Sequence, residues 1–238
     1  MFNLLSKSLL SLVFPSACES CKRLLPLKNE LGVCESCQQS IRLIPSPFCP
    51  KCGRSSLEST QNCAGCREDR FDFDRVFSAA YYEGPIKKVL CAFKFEKRRF
   101  LSKVLMKIIQ AYFLENNTPF SWDWVVPVPM PRNRKLERGF NQSELLAKKV
   151  SKLVGAPCQN RILGSKITRE PQSKLGKKER KQNVRNSFCL KKNPDLKNKK
   201  ILLVDDILTT GETASQCAKI LKQAGAATVD VLVAARGL

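Results

Sequence analysis

Histidine is absent from this sequence of 238 residues. Its absence excludes Ser-His-Asp triads, histidine general bases and histidine metal ligands. A metal ion would therefore have to be held by cysteine thiolates or carboxylates. The sequence does contain 12 cysteines, and 43% of its residues are apolar, which is enough for a packed core.

Acidic residues are also scarce. The chain has 21 Asp and Glu against 42 Lys and Arg, which gives a formal net charge of +21. Most of the excess falls in residues 71–200, which contain 30 basic and 11 acidic side chains. A field of this sign attracts phosphates, nucleic acid or anionic lipid, and the alternative is that the charges only keep the surface soluble.

A long hydrophobic run is missing as well. The first 14 residues are mostly apolar, but a segment of that length is too short to cross a bilayer. No basic segment precedes it, and Pro15 stands where a lipoprotein signal favours leucine. We therefore interpret residues 1–17 as a short amphipathic helix. No later segment is long enough to span a membrane, so we expect a soluble, cytoplasmic protein.

Eight of the cysteines form four Cys-x-x-Cys pairs within residues 18–70, separated by 12, 11 and 10 residues. A Cys-x-x-Cys turn directs two thiolates toward one point, and two such turns complete the four-sulfur shell that zinc prefers. We expect a double zinc ribbon with two structural zinc ions, and the spacing allows either sequential or interleaved use of the pairs. The predicted ligands are Cys18, Cys21, Cys34, Cys37, Cys49, Cys52, Cys63 and Cys66.

Disulfides, iron–sulfur clusters and a redox Cys-x-x-Cys motif are the alternatives for these cysteines. Disulfides need an oxidising compartment, for which the sequence has no signal, and a redox motif is normally single. A ribbon this small has almost no apolar core, so metal must hold it together. The remaining cysteines lie in apolar patterns and are expected to be buried: Cys91, Cys158, Cys189 and Cys217.

Strands alternate with helices in the secondary structure predicted for residues 71–238. The predicted strands are 74–82, 124–129, 187–190, 200–205 and 228–235. The predicted helices are 86–95, 100–114, 141–154, 177–186 and 212–224. The continuous apolar run before Asp205 is typical of a parallel sheet. We expect an α/β domain with a mostly parallel sheet.

The clearest candidate site follows the predicted strand 200–205. Asp205 and Asp206 come at its expected carboxyl end, where open α/β sheets bind ligands. The threonine-rich loop 209–213 then enters a helix, whose N–H groups would bind a phosphate monoester. Gly211 would let the backbone approach this phosphate closely. The two carboxylates suit sugar hydroxyls or Mg²⁺.

Paired aspartates also follow apolar strands in receiver domains and in Walker B segments. A receiver pair would lie near the first strand, and the sequence has no Walker A motif, so an NTPase is disfavoured. The simplest alternative is an ordinary strand–turn–helix whose threonines only cap the helix.

Val204-Asp-Asp-Ile-Leu-Thr-Thr-Gly-Glu-Thr213 resembles the phosphoribosyl pyrophosphate (PRPP) signature of type I phosphoribosyltransferases. The whole chain resembles the ComF family, which joins a cysteine-ligated zinc module to a phosphoribosyltransferase-like domain. Other matching stretches are Val126-Pro-Val-Pro129, Arg138-Gly-Phe-Asn-Gln142, Gln172-x-x-Leu175 and Asn183-Val-Arg-Asn-Ser-Phe188. The resemblance implies a type I phosphoribosyltransferase fold over residues 71–238, after the zinc ribbon.

The resemblance also implies a PRPP site with bound Mg²⁺. Asp205 and Asp206 would hold the ribose hydroxyls as the catalytic pair, and residues 127–134 would bind the pyrophosphate. Residues 168–176 would close over the site as a mobile loop. The remaining implied contacts are Arg132 and Arg134 to the pyrophosphate, and Thr209, Thr210, Gly211, Glu212 and Thr213 to the 5′-phosphate. Glu212 replaces the small residue expected there, but as the first helical residue its side chain can point to solvent.

Two functions remain open. The first is an enzyme, a phosphoribosyltransferase that uses PRPP, Mg²⁺ and an unidentified acceptor. The second is a protein that handles single-stranded DNA or binds other competence proteins, because the ComF family is linked to DNA uptake. Phe93, Phe95 and Phe100 lie among Lys94, Lys97, Arg98 and Arg99, a mixture that suits stacking of bases. The helical pattern instead favours burial of the three phenylalanines.

Overall fold

The computed structural model describes residues 16–26, 29–56, 63, 66, 71–118, 120–166, 187–191 and 194–237. The strands are β1 (Val76–Tyr81), β2 (Trp124–Pro127), β3 (Leu163–Ser165), β4 (Phe188–Leu190), β5 (Lys200–Leu208) and β6 (Thr228–Arg236). The helices are α1 (Glu35–Gln39), α2 (Gly84–Phe95), α3 (Ser102–Glu115), α4 (Arg132–Arg138), α5 (Gln142–Val154) and α6 (Glu212–Gln223). A 3₁₀ turn, Arg99–Leu101, precedes α3.

Four strands form a parallel sheet in the order β1-β6-β5-β2. Successive side chains of the central strand β5 enter opposite faces, so that Leu202 packs with α2, α3 and α5, and Leu203 packs with α6. Both faces are therefore covered by helices, which explains why residues 201–204 of the strand are all apolar and buried. The predicted α/β fold with a mostly parallel sheet is confirmed.

A second sheet is small and antiparallel. It pairs β3 with β4, and Phe188 of β4 packs into the core on the α6 side. The predicted loop 168–176 and the predicted helix 177–186 lie between these strands, outside the described residues. The predicted helix over residues 1–17 also lies outside them, apart from residues 16 and 17, which are not helical.

Three elements differ from the prediction, and the first is β3, which was not predicted. Strand β5 continues to Leu208, because Ile207 and Leu208 still pair with β6, so Asp205 and Asp206 lie within the strand. Helix α4 was not predicted at all. Its residues are RNRKLER and none of them is buried, so no apolar face was available to reveal it.

The cysteine-rich segment packs directly against the parallel sheet. Ile44 donates a backbone hydrogen bond to Ala79 of β1 (3.1 Å), and Val76 of β1 donates one to Pro50 (2.7 Å). The predicted division of the chain at residue 70 stays a prediction. Among the described residues, no helix combines the length and the apolar character needed to cross a membrane.

Candidate functional site

The eight paired cysteines form two clusters in chain order. Within each cluster the four sulfur atoms lie within 4.8 Å of one another. Tetrahedral zinc with Zn–S bonds of about 2.3 Å places sulfurs about 3.8 Å apart. The distances of 3.6 Å between Cys21 and Cys34 and 4.0 Å between Cys49 and Cys66 fit this geometry. Cluster one is Cys18, Cys21, Cys34 and Cys37, and cluster two is Cys49, Cys52, Cys63 and Cys66, so the pairing is sequential.

The surroundings of these thiols lower the pKa of some of them and raise the pKa of others. A hydrogen bond with the Ser36 hydroxyl, aided by the backbone of Cys37, lowers the pKa of Cys34 to about 6. Burial raises the pKa of Cys52 to about 11. A zinc ion must displace the proton from such a buried thiol, so its affinity for cluster two should rise with pH.

The four isolated cysteines are less uniform than expected. Cys217 is fully buried on α6, and burial raises its pKa well above the ordinary value. Cys91, Cys158 and Cys189 are only partly buried. The prediction of burial is therefore confirmed for one of the four and wrong for the other three.

An open cleft of about 440 Å³ lies where β2 and β5 end. One wall is the turn 128–134 after β2, and another is the start of α5 from Asn141 to Ser143. The end of β5 and the first turn of α6 form the third wall. Ligands of parallel α/β sheets bind at the carboxyl ends of the strands, which is where this cleft opens.

Asp205 faces α5 across the cleft. Its Oδ1 accepts hydrogen bonds from the Ser143 hydroxyl (2.7 Å) and from the backbone N–H of Asp206 (2.9 Å). Burial raises the pKa of Asp205 to about 7, and the negative charge of Asp206 adds to the effect. The surroundings of this carboxyl thus favour its neutral form more than usual, and a bound cation would favour the ionised form.

Asp206 forms an ion pair with Lys94 of α2, at 3.0 Å between Oδ1 and Nζ. The aspartate is 5% exposed, so its charge needs this partner. Lys94 lines the cleft beside it. This pair could not be predicted from a local pattern, because the two residues are more than 100 positions apart.

The loop between β5 and α6 turns sharply at Gly211, where φ is +81°, a conformation that favours glycine. A Cβ atom at this position would lie 2.9 Å from the ring of Phe71. The close neighbour of Gly211 is therefore an aromatic ring, and the predicted approach of a phosphate to this glycine stays a prediction. Thr209 and Thr213, on either side of the turn, do line the cleft.

The structure brings five of the nine predicted PRPP residues into the cleft. These five are Asp205, Asp206, Thr209, Thr213 and Arg134. Thr210, Gly211 and Glu212 belong to the same loop but are not among the lining residues. The Glu212 carboxylate accepts a hydrogen bond from Gln216 one turn along α6 (3.2 Å). Arg132 is exposed at the start of α4 and does not line the cleft either.

The predicted PRPP residues did not include those of the wall that lies near the start of α5. Asn141 accepts a hydrogen bond from the backbone of Ser143 (3.1 Å) and donates one to the carbonyl of Val128 (3.0 Å). It therefore fixes the turn after β2 to the start of α5. Arg138 also lines the cleft. The matching stretch 138–142 was the signal in the sequence that could have identified this wall.

A basic edge borders the cleft and consists of Phe95, Lys97, Arg98, Arg99 and Phe100. Phe93 is buried as predicted, whereas Phe95 is 67% exposed and Phe100 is 40% exposed, so the prediction of burial is wrong for these two. Helix α2 ends at Phe95, and the chain then turns at Lys97 with φ +57°, which leaves both rings outside the apolar face. The Arg138 guanidinium lies 5.0 Å from the centre of the Phe95 ring.

Family models match both parts of the chain. A double zinc ribbon domain matches residues 9–67, and a phosphoribosyl transferase domain matches residues 141–238. The cysteine clusters, the parallel sheet and the cleft thus define a protein that joins a double zinc ribbon to a phosphoribosyltransferase-type domain. More particularly, the chain belongs to the ComF family, because it is 30% identical to a "Competence protein ComFC" over most of the length of both chains.

The relatives cover nearly the whole chain. "Competence protein ComFC" of Bacillus subtilis is 30% identical over 221 residues, which are 87% of this chain and 84% of the relative. "Competence protein F" of Haemophilus influenzae is 27% identical over 94% of this chain and 98% of the relative. "DNA utilization protein YhgH" of Escherichia coli K12 is 28% identical over 95% of this chain and 100% of the relative.

Solved structures of lower similarity include two PRPP enzymes. Glutamine PRPP amidotransferase from B. subtilis is 19% identical, with a TM-score of 0.37, over 58% of this chain and 26% of that enzyme. Adenine phosphoribosyltransferase from Saccharomyces cerevisiae is 15% identical, with a TM-score of 0.36, over 58% of this chain and 72% of that enzyme.

Proposed function

We propose that this protein binds PRPP or a related phosphosugar together with Mg²⁺ in the cleft, and that this binding serves the use of DNA. The observation that carries the proposal is the position of Asp205 and Asp206 beside Thr209 and Thr213 in one cleft. Carboxylates accept hydrogen bonds from sugar hydroxyls, and the start of a helix binds phosphate. The names of the relatives, competence and DNA utilization, support the wider role.

Each wall of the cleft has a part in this proposal. The loop 209–213 and the N-terminus of α6 bind the 5′-phosphate, and the two aspartates hold the ribose. Arg134 binds the pyrophosphate, with Arg132 as a further contact from the same helix. Asp205 and Asp206 also offer the oxygen ligands that Mg²⁺ prefers. When bound, Mg²⁺ would offset the negative charge of the pyrophosphate.

The same arrangement supports a phosphoribosyltransferase reaction with an unidentified acceptor. Departure of pyrophosphate leaves an oxocarbenium-like sugar, so the barrier falls when positive groups stabilise the departing charge. Arg134 and Arg138 line the cleft and supply such charge. The aspartates meanwhile hold the ribose hydroxyls in place, which fixes the sugar relative to these arginines.

The site is tested by calorimetric titration of ribose 5-phosphate into the zinc-loaded full chain. Thr213→Val keeps the side-chain shape but removes a hydroxyl from the cleft, and we expect affinity to fall about tenfold. Thr228→Val is the matched control, because Thr228 pairs with Lys200 at the opposite end of the sheet. Equal binding by the two variants would refute the placement of the phosphate.

A second function, binding of single-stranded DNA, is favoured by the exposed Phe95 next to the cleft. Bases stack on exposed aromatic rings, and neighbouring cations attract the phosphates. Lys97 suits this role, whereas the neighbouring Arg98 and Arg99 make contacts within the protein. Arg98 lies 3.4 Å from the carboxylate of Glu19, and Arg99 donates a hydrogen bond to the carbonyl of Gly139.

Fluorescence titration of a labelled oligothymidine at several salt concentrations tests the DNA function. We expect steep loss of affinity with salt and a further loss of about tenfold in Phe95→Ser. Leu114→Ser is the control, because Leu114 is as exposed but lies at the end of α3. DNA affinity that is unaffected by salt, or equal in both variants, would argue against this surface.

A further inference from the structure

Cysteine cluster two lies against the loop between β5 and α6. Phe71 packs on the buried sulfurs of this cluster and also on the apolar core that contains α6. The same ring fills the space beside Gly211, where an added Cβ atom would lie 2.9 Å from it. Phe71 is therefore wedged between the cluster and the loop, and a shift of the cluster would free the loop to move.

Arg236, the last residue of β6, makes a second connection to the loop. Its side chain is buried, with the residue 3% exposed, and its Nη1 donates a hydrogen bond to the carbonyl of Thr209 (2.7 Å). Thr209 lines the cleft. The guanidinium thus holds the backbone of the loop, and Arg236 itself is not among the residues that line the cleft.

Negative charge on cluster two favours the charged form of Arg236. Burial lowers the pKa of Arg236, and the charge of Arg54 lowers it further, whereas the thiolates of Cys52, Cys66 and Cys63 raise it. None of the carboxylates in the described part of the chain forms an ion pair with this residue. Four thiolates around one Zn²⁺ carry two negative charges, which suits a buried guanidinium.

A third connection reaches the first turn of α6. The backbone N–H of Asp72 donates to the Ser215 hydroxyl (3.0 Å), and that hydroxyl donates to the Asp72 carboxylate (2.8 Å). Asp72 directly follows Phe71, so the chain leaving cluster two is fixed to the helix whose N-terminus faces the cleft. Phe71 and Asp72 therefore connect the chain that leaves cluster two with the loop and with the helix that follows it.

We propose that cluster two, with its zinc ion, positions the phosphate-binding loop through Phe71 and Arg236. The inference rests on the proposed function, since it assumes that the loop binds phosphate. With the cluster intact, Phe71 supports the turn at Gly211 and Arg236 holds the carbonyl of Thr209. Without it, Phe71 loses its support and Arg236 loses its countercharge, so the hydroxyls and N–H groups of the loop no longer converge on one point.

Cluster one provides an internal control because its surroundings are different. Cys18 and Cys37 belong to the apolar core on the face of the sheet that carries α2 and α3. The Lys88 ammonium of α2 donates to the carbonyl of Ser20 within this ribbon (2.9 Å). None of these contacts involves the phosphate loop, so loss of cluster one should leave that loop in place.

The first test removes the clusters one at a time in the full chain. Cys52→Ser with Cys63→Ser should lower the zinc content by one ion per chain and weaken ribose 5-phosphate binding at least tenfold. Cys21→Ser with Cys34→Ser should lower the zinc content equally and change the affinity less than twofold. Equal effects of the two double variants on affinity would overturn the inference.

The second test keeps both zinc ions and changes Arg236, which bonds to the carbonyl of Thr209 in the loop. Arg236→Met removes the donor and the charge, and it should weaken ribose 5-phosphate binding about tenfold while zinc content stays at two. Arg236→Lys keeps a charge and a donor and should restore most of the affinity. An affinity loss of the same size in both variants would indicate a general packing defect and would contradict the assigned role.

A third test uses wild-type protein, so it does not depend on how any variant folds. If zinc in cluster two favours ligand binding, the ligand must favour that zinc by the same factor. Ribose 5-phosphate should therefore protect one of the two zinc ions against a chelator. If wild type binds no ribose 5-phosphate, the proposed function fails and this inference fails with it. If wild type binds but neither zinc ion is protected, the inference alone is wrong.

Discussion

The ion pair between Lys94 and Asp206 allows a substitution that separates stability from ligand binding. Asp206→Asn keeps the shape of the side chain but removes its charge. Lys94 then loses its partner, while its own side chain is only 22% exposed. A cation left in such a site costs less than a fully buried one, so we expect the free energy of unfolding to fall by about 1–2 kcal/mol.

The effect of Asp206→Asn on binding has a different origin and a larger size. The variant loses a charged acceptor for the ribose hydroxyls, and a hydrogen bond to a charged group contributes about 1.5–3 kcal/mol. We therefore expect the affinity for ribose 5-phosphate to fall about ten- to a hundredfold. Ribose 5-phosphate is the suitable ligand because it has no pyrophosphate with which Lys94 could interact.

The double variant Lys94→Met with Asp206→Asn distinguishes the two effects. Removing the uncompensated cation should restore most of the stability, measured by urea unfolding, and leave the affinity, measured by calorimetry, as low as in Asp206→Asn. The reasoning is refuted if the double variant regains affinity together with stability, or if Asp206→Asn binds as tightly as wild type.

Three further predictions concern metal and pH. Elemental analysis of protein purified without added metal should find two zinc ions per chain, and iron or a metal-free folded protein would contradict the assignment. Because the folded pKa of Asp205 is raised to about 7, its ionisation should lower stability as pH rises from about 4 to 7, and ribose 5-phosphate should bind more weakly as pH falls through 7. Asp205→Asn should show only the titration of the phosphate itself. Burial opposes ionisation of Glu144, but hydrogen bonds from Lys148, Asn160 and Lys135 outweigh it and lower its pKa to about 2. Glu144→Gln should therefore cost about 1–3 kcal/mol of stability at pH 7, and the cost should vanish as pH falls from 4.5 toward 2.

The fold could be predicted from the sequence wherever burial produces a regular pattern of apolar residues. Residues 201–204 are all apolar because both faces of β5 are covered by helices. Helix α4 lacks such a pattern because no residue of it is buried. The cysteine pairs predicted two clusters from spacing alone, but the sequential pairing required the positions of the sulfur atoms.

The residues of the candidate site could likewise be predicted only where they are close together in the sequence. Asp205, Asp206 and the loop 209–213 are contiguous, so the sequence could predict that they act together. Lys94 and Ser143 reach the same aspartates from two separate helices. Contacts of this kind depend on how helices pack on the sheet, which no local pattern encodes.

Titration of PRPP into the zinc-loaded wild-type chain, with and without Mg²⁺, tests the central claim most directly. The account predicts one PRPP bound per chain, weaker binding when Mg²⁺ is removed, and displacement by ribose 5-phosphate because both ligands share the loop 209–213. It would be contradicted if PRPP did not bind with Mg²⁺ present, or if ribose 5-phosphate failed to displace it.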